Sequence, residues 1–116
     1  MHEASIMQNV FDLACARLEQ ETATWIVRLR LRVGALAGVV PDALRFAFEA
    51  MKTETVAANA TLEIESVPAR LACRNCSRKY EPKAFPAACP DCGNWAADVL
   101  QGQELDLVLV EFTREK

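Results

Sequence analysis

The chain has 116 residues, is 52% hydrophobic and 25% charged, and carries a formal net charge of -3 at pH 7. This suits one domain, or a small core with a stapled lobe, and excludes a disordered chain. The acidic balance also argues against wholesale binding to a phosphate backbone, which requires clustered Lys and Arg.

Residues 4–20, plotted at helical spacing, place Ile6, Met7, Val10, Phe11, Leu13, Ala14 and Leu18 on one face, with Ser5, Gln8, Asn9, Asp12 and Glu19 opposite. An amphipathic helix is predicted there, with Cys15 at the edge of its apolar face as a small hydrophobe. The stretch TWIVRLRLRVG then alternates as a strand. Trp25, Val27, Leu29, Leu31 and Val33 are assigned to the buried face, and Arg28, Arg30 and Arg32 to the outer one.

A second helix follows, with Pro41 at its first position and Asp42 just inside, where a fixed φ and a negative charge suit a helix N-terminus. Leu44, Ala47, Phe48 and Met51 form its inner stripe. TLEIESV at 61–67 and ELDLVLVEF at 104–112 are two further strands. Across the sheet, Glu63, Glu65 and Asp106 or Glu104 are expected to pair with the three arginines. The expected fold is α+β: a small three-stranded sheet packed with two helices, plus an inserted zinc-ribbon-like lobe. The divisions are 1–68 with 102–116 for the discontinuous α+β domain, and 69–101 for the lobe.

No run approaches the roughly 18 uninterrupted apolar residues of a membrane span, and Glu3, Asp12, Arg17 and Glu19 do not form a secretory leader. A cytoplasmic protein is expected, in which cysteines serve metal or redox chemistry rather than disulfides. Cys73-x-x-Cys76 and Cys89-x-x-Cys92, with twelve residues between the hooks, can deliver four sulfurs to one tetrahedral ion at bonds of about 2.3 Å for zinc. Zinc is favoured over iron. A lobe with so few apolar residues would draw much of its folding free energy from that ion. A thioredoxin-like redox pair is a weaker reading, because that motif sits at a strand-to-helix junction of a larger α/β fold. Arg70, Arg74, Arg78, Lys79 and Lys83 cluster in the lobe, consistent with a zinc ribbon binding nucleic acid or a protein complex. Four thiolates around a dication leave a charge of about -2, and offsetting it is the preferred role for these residues.

The single histidine, His2, has a chemical property tied to its position. The α-amine of Met1, the His2 backbone nitrogen and the His2 imidazole can close adjoining five- and six-membered chelate rings. A nitrogen or oxygen of Glu3 can complete a plane that suits Ni(II) or Cu(II). Such a set must lose protons to bind, so binding weakens as pH falls.

MHE at the start, then VGALAGVVPDALRFAFEA, LEIESVPARLACRNC, CPDCG and GQELDLVLVEF, in that order along essentially the whole chain, resemble the HypA/HybF family of hydrogenase nickel-incorporation proteins. The resemblance implies a nickel metallochaperone, not an enzyme, that serves [NiFe]-hydrogenase maturation and in some species urease. It further implies a HypB-type GTPase and the hydrogenase large subunit as partners, no membrane or nucleic acid, and a monomer or weak homodimer. It carries transient nickel to Met1, His2 and Glu3, and structural zinc to Cys73, Cys76, Cys89 and Cys92. In some members an acidic side chain after the first strand also approaches nickel; the matching position here is Val40, with Asp42 two residues on. The family's common Gly-Thr after the second helix is replaced here by KTETVAANA.

Overall fold

A computed structural model describes residues 2–114. The elements run α1 (Glu3–Gln20), β1 (Trp25–Gly34), α2 (Pro41–Met51), β2 (Thr61–Val67), β3 (Arg70–Cys73), β4 (Lys79–Tyr80), β5 (Ala97–Gln101) and β6 (Leu105–Thr113). They build two three-stranded sheets, ordered β2-β1-β6 and β4-β3-β5. The molecule measures 57 × 24 × 17 Å, with a radius of gyration of 17.8 Å. A compact chain of this size would have one of about 13 Å, so the two sheets lie along an axis and do not stack.

In the first sheet β1 is central, parallel to β2 and antiparallel to β6. The two helices cover one face. Phe11 of α1 and Phe48 of α2 stack with centroids 5.8 Å apart, above a core that includes Met7, Leu29, Leu31 and Leu44. The apolar periodicity of α1 is buried at Ile6, Met7, Val10, Phe11, Ala14 and Leu18. Leu13 departs from the expectation and is 57% exposed. It overhangs the unpaired edge of β6 and lines an open groove there with Leu105, Leu107 and Leu109.

The buried face of β1 also differs at its start. Ile26 is buried, whereas Val27 is 39% exposed and Trp25 is half-buried. The pairing with β6 slips between Ile26 and Arg28, and one extra residue reverses every side chain before the bulge. Beyond it the alternation is as read: Leu29, Leu31 and Val33 point inward.

The outer face carries the arginines in a ladder of ion pairs. Arg28 reaches Glu63 at 3.1 Å and Glu111 at 2.9 Å, Arg30 reaches Glu63 at 2.9 Å, and Arg32 reaches Glu65 at 3.4 Å. The Arg28 Nε contact with Glu111 is an ion pair without hydrogen-bond alignment. Glu111 is an unforeseen member; Asp106 lies opposite Arg32 in register. The Glu104 carboxylate turns back to accept the Gly102 N–H at 2.7 Å.

The second sheet lies wholly within residues 70–101. Its strands of four, two and five residues are too short to show apolar alternation; Leu71, Cys73, Tyr80 and Cys89 make its small core. Where the chain passes between sheets, three segments are stitched by backbone bonds. Gly34 N–H donates to Glu104 O (2.7 Å), Ala35 N–H to Val67 O (2.9 Å) and Leu36 N–H to Gly102 O (2.6 Å). A Cβ on Gly34 would lie 2.0 Å from the Gly102 carbonyl oxygen, and Gly102 itself adopts φ +118 with no room against Ala69.

Two outcomes follow. Gly34→Ala should cost roughly 3 kcal/mol by forcing backbone apart, whereas Gly38→Ala, at φ +77 in open space, should cost only about 1 kcal/mol; urea unfolding that gave equal losses would contradict the crossing. Hydrogen bonding from Arg30 and the charge of Arg28 hold the Glu63 carboxyl below its ordinary value of 4.5. A lowered folded pKa stabilises above the unfolded value and is lost as pH falls through the folded one. Wild-type stability should therefore drop below pH 4.5 more steeply than that of Glu63→Gln in acid unfolding followed by circular dichroism.

Candidate metal sites

The two C-x-x-C hooks fold as near copies of each other. In the first, Ser77 N–H donates to Cys73 O (3.0 Å) and Cys73 N–H to Arg78 O (2.8 Å); in the second, Gly93 N–H donates to Cys89 O and Cys89 N–H to Asn94 O (both 2.9 Å). Both turns pass through positive φ, at Ser77 (64°) and Gly93 (75°). Glycine meets that requirement without strain, and serine meets it at a cost. Backbone N–H groups then point at sulfur: Asn75 and Cys76 at Cys73 Sγ (3.3 and 3.5 Å), and Asp91 at Cys89 Sγ (3.4 Å).

Strand β3 ends on Cys73, and its pairing with β4 and β5 holds the first hook facing the second. Cys73 Sγ lies 3.5 Å from Cys92 Sγ, Cys76 Sγ lies 3.6 Å from Cys89 Sγ, and all four sulfurs fall within 4.8 Å of one another. Bonds of about 2.3 Å in a tetrahedron imply edges of about 3.8 Å, so one cation of that size fits the set. Cys73 and Cys89 are buried, and Cys76 and Cys92 face outward.

The electrostatics suit such a cation. The Asn94 N–H, followed by other donors, holds the Cys92 thiol down to about 6, and the Cys92 N–H lowers Cys89. The Arg78 N–H pulls Cys76 the same way, but Cys89, burial and the remaining sulfurs outweigh it and push Cys76 up to about 12. Four negative sulfurs this close cannot coexist without a positive centre. A dication would leave a residual charge of about -2.

Basic side chains surround the hooks, but two of them are already engaged: Arg74 pairs with Asp98 and Arg78 with Asp91, both at 2.8 Å. These two arginines are thus engaged in local ion pairs.

At the other candidate site, Met1 lies outside the described residues. His2 is exposed and is the N-cap of α1, with extended backbone (φ -82°, ψ 134°). Its Nδ1 accepts the Ala4 N–H at 3.3 Å, and its carbonyl accepts from Ile6 at 3.1 Å. Glu3 begins the helix as the acidic residue of the first turn. The backbone N–H groups of both residues belong to the first turn, where the helix supplies no acceptor.

Val40 is the N-cap of α2, makes no side-chain cap bond, and is 58% exposed; Asp42 lies in the first turn of that helix. Cys15 is half-buried, and burial, followed by Asp12 and Glu19, raises its thiol pKa. It stands apart from the four-sulfur cluster. Among the described residues no helix is long and apolar enough to cross a membrane.

The comparisons with known proteins extend over the whole architecture. The family model for hydrogenase/urease nickel incorporation, metallochaperone HypA, matches residues 1–112. Hydrogenase maturation factor HypA of Picosynechococcus sp. is 42% identical over 111 residues, spanning 96% of this chain and 98% of its own. The HypA of Rhizobium leguminosarum bv. viciae is 39% identical over 107 residues, spanning 92% and 95%. The solution structure of the Ni metallochaperone HypA from Helicobacter pylori superposes with a TM-score of 0.68 at 26% identity, covering 99% of this chain and all of that one. The four-sulfur site and the two-sheet fold thus belong to a scaffold matched from end to end, and the chain is a member of the HypA family of metallochaperones for nickel incorporation in hydrogenase maturation.

Proposed function

We propose that this protein carries one Ni(II) on Met1, His2 and Glu3 and delivers it to [NiFe]-hydrogenase, with urease as a second client, while Cys73, Cys76, Cys89 and Cys92 hold a resident Zn(II). The observation that carries this reading is the position of His2: exposed, at the N-cap of α1, beside backbone nitrogens that the helix leaves unused. Deprotonating those nitrogens costs no intrahelical bond. The imidazole Nδ1 must leave the Ala4 N–H to complete a six-membered chelate, giving up a cap worth about 1 kcal/mol. That exchange weakens the site enough for release, as a carrier requires.

The family's outer acidic ligand has no counterpart in the Val40 side chain, which offers no donor atom. Nickel here is held by the chain end alone, with open positions for water or for the receiving protein. Zinc, when bound, would halve the charge of the thiolates and fold the lobe; four sulfur ligands leave no open position for Lewis-acid chemistry. Residues 69–101 act as the zinc lobe, and 1–68 with 102–116 as the nickel-binding part. The described cysteines are all unpaired, as zinc binding in a reducing cytoplasm requires. A HypB-type GTPase and the hydrogenase large subunit are the partners proposed for transfer, with the carrier itself a monomer or weak homodimer.

Calorimetric titration of untagged protein should give near-stoichiometric nickel binding with a dissociation constant on the order of micromolar. His2→Ala should abolish it with zinc content unchanged. Nickel binding should also weaken between about pH 8, near the ordinary α-amine pKa, and about pH 6, since the donors must lose protons. Equal binding by wild type and His2→Ala would refute the site. For the cysteines, metal analysis should find one zinc per wild-type chain and less than about a tenth of that in Cys76→Ser, with loss of lobe structure but retention of the helical signal. A red protein would instead indicate iron.

A further inference from the structure

The first sheet has two edge strands, β2 and β6, and they are protected differently. Within its seven residues β2 carries Glu63 and Glu65, and charges along an edge discourage pairing with another chain. By contrast β6 presents LDLVLV at 105–110, with Asp106 as its one charge and neither Lys nor Pro. An apolar edge of this length, with a row of backbone N–H and C=O groups directed away from the sheet, is a template for a further strand. The pairing with β1 passes over Val108, whose side chain is 39% exposed.

A groove follows this edge. One wall is β6 at 105–110, and the other is the outer side of α1, with Asn9, Leu13, Ala16, Arg17 and Gln20. A helix laid there would have its backbone groups already bonded internally, so it would desolvate the β6 row without pairing it. An extended strand supplies both the pairing and the side chains to fill the groove.

Charge decides which strand fits. Helix α1 turns back into β1 through residues 21–24, and β6 is also antiparallel to β1, so α1 and β6 run in the same direction. Asn9 therefore stands near Leu105 and Asp106, with Arg17 and Gln20 toward Val110. Arg32, opposite Asp106 in register, pairs instead with Glu65. Arg17 holds only a long 3.9 Å contact with Glu21, both side chains being exposed. A second copy of this chain matches poorly. Any antiparallel self-pairing that overlaps 105–110 along its length sets Glu111 of one chain against residues 104–106 of the other, where Glu104 and Asp106 are acidic. Two-fold symmetry repeats that clash, and like charges facing each other are destabilising.

We propose that the edge of β6 and the outer side of α1 form a docking groove for an extended segment of another protein, added as an antiparallel strand. The segment is acidic near its N-terminal end, beside Arg17, apolar along its middle, beside Leu13 and Val108, and basic near its C-terminal end, beside Asp106. Antiparallel addition is the slightly more stable pairing. The groove involves neither the cysteines nor His2, so the proposal does not rest on the nickel reading.

The test uses full-length, zinc-loaded protein and two capped synthetic peptides of about eight residues. One has Glu near its start, alternating Val and Thr, and Lys near its end; the other has Glu and Lys exchanged. The first should bind wild type with a dissociation constant below about 1 mM, and at saturation amide hydrogen exchange should slow at 105–110 while β2 is unchanged. The second should bind about 5-fold more weakly. In Arg17→Glu/Asp106→Lys the preference should invert, which apolar burial alone would not produce. No slowing at 105–110 with either peptide, or slowing confined to other elements, would overturn the docking edge. Equal binding of the two peptides, or a preference that the double variant leaves unchanged, would overturn the charge pattern assigned to the occupant. Self-association in sedimentation, with concentration-dependent slowing at 105–110 in the absence of peptide, would overturn the foreign strand and give the groove to a second copy.

Discussion

Four sulfur atoms within 4.8 Å are a constraint that one of the two sheets is built around. They repel one another as thiolates, so a cation bound among them would stabilise their neighbourhood. Strand β3, both hooks and the facing strands exist to bring these atoms together. The apolar core there is too small to do so unaided. Arg74 and Arg78, close to the sulfurs, are each paired with an aspartate.

The first sheet solves a different problem. Its helices bury one face through ordinary amphipathic packing, leaving three arginines on the outer side of the central strand. Placing β1 between β2 and β6 gives those cations carboxylates on both flanks. Each such exposed pair contributes little alone; their joint effect is register. A slip of one residue would set arginine against the core and leucine against glutamate. Two slips do occur against β6, one beside Val27 and one between Arg30 and Leu31, where Val108 is passed over; the pairing with β2 runs without a break from Arg28 to Gly34.

The two halves meet where backbone passes within contact distance of backbone, at Gly34 and Gly102. A close crossing needs glycine because no side chain fits, and it brings the metal-dependent lobe into direct connection with the loop leading to α2. The start of α1, where nickel donors are proposed, belongs to the first sheet's layer. The proposed carrier role suits this arrangement: His2 is exposed, whereas the four cysteines gather their sulfurs within 4.8 Å of one another.

The sequence by itself determined the helices, the three long strands and the pairing of hooks. Each of these is written in local periodicity or fixed spacing: apolar residues every three to four positions, alternation every two, and two cysteines three apart. The charge partners of Arg28, Arg30 and Arg32 were legible down to Glu63 and Glu65, since parallel neighbours share the alternation. Only the tertiary structure decided the rest. Leu13 lies on an apolar helical stripe but overhangs a sheet edge, which depends on which strand is outermost. Ile26 and Val27 exchange roles through a bulge that both residues, equally apolar, leave invisible in the pattern. The three strands of the lobe are only four, two and five residues long, too short to show alternation, and the crossing of Gly34 with Gly102 joins residues about 70 apart in the chain. Local chemistry selects conformations residue by residue, whereas which surfaces remain uncovered and which distant backbones touch is settled only when the elements pack.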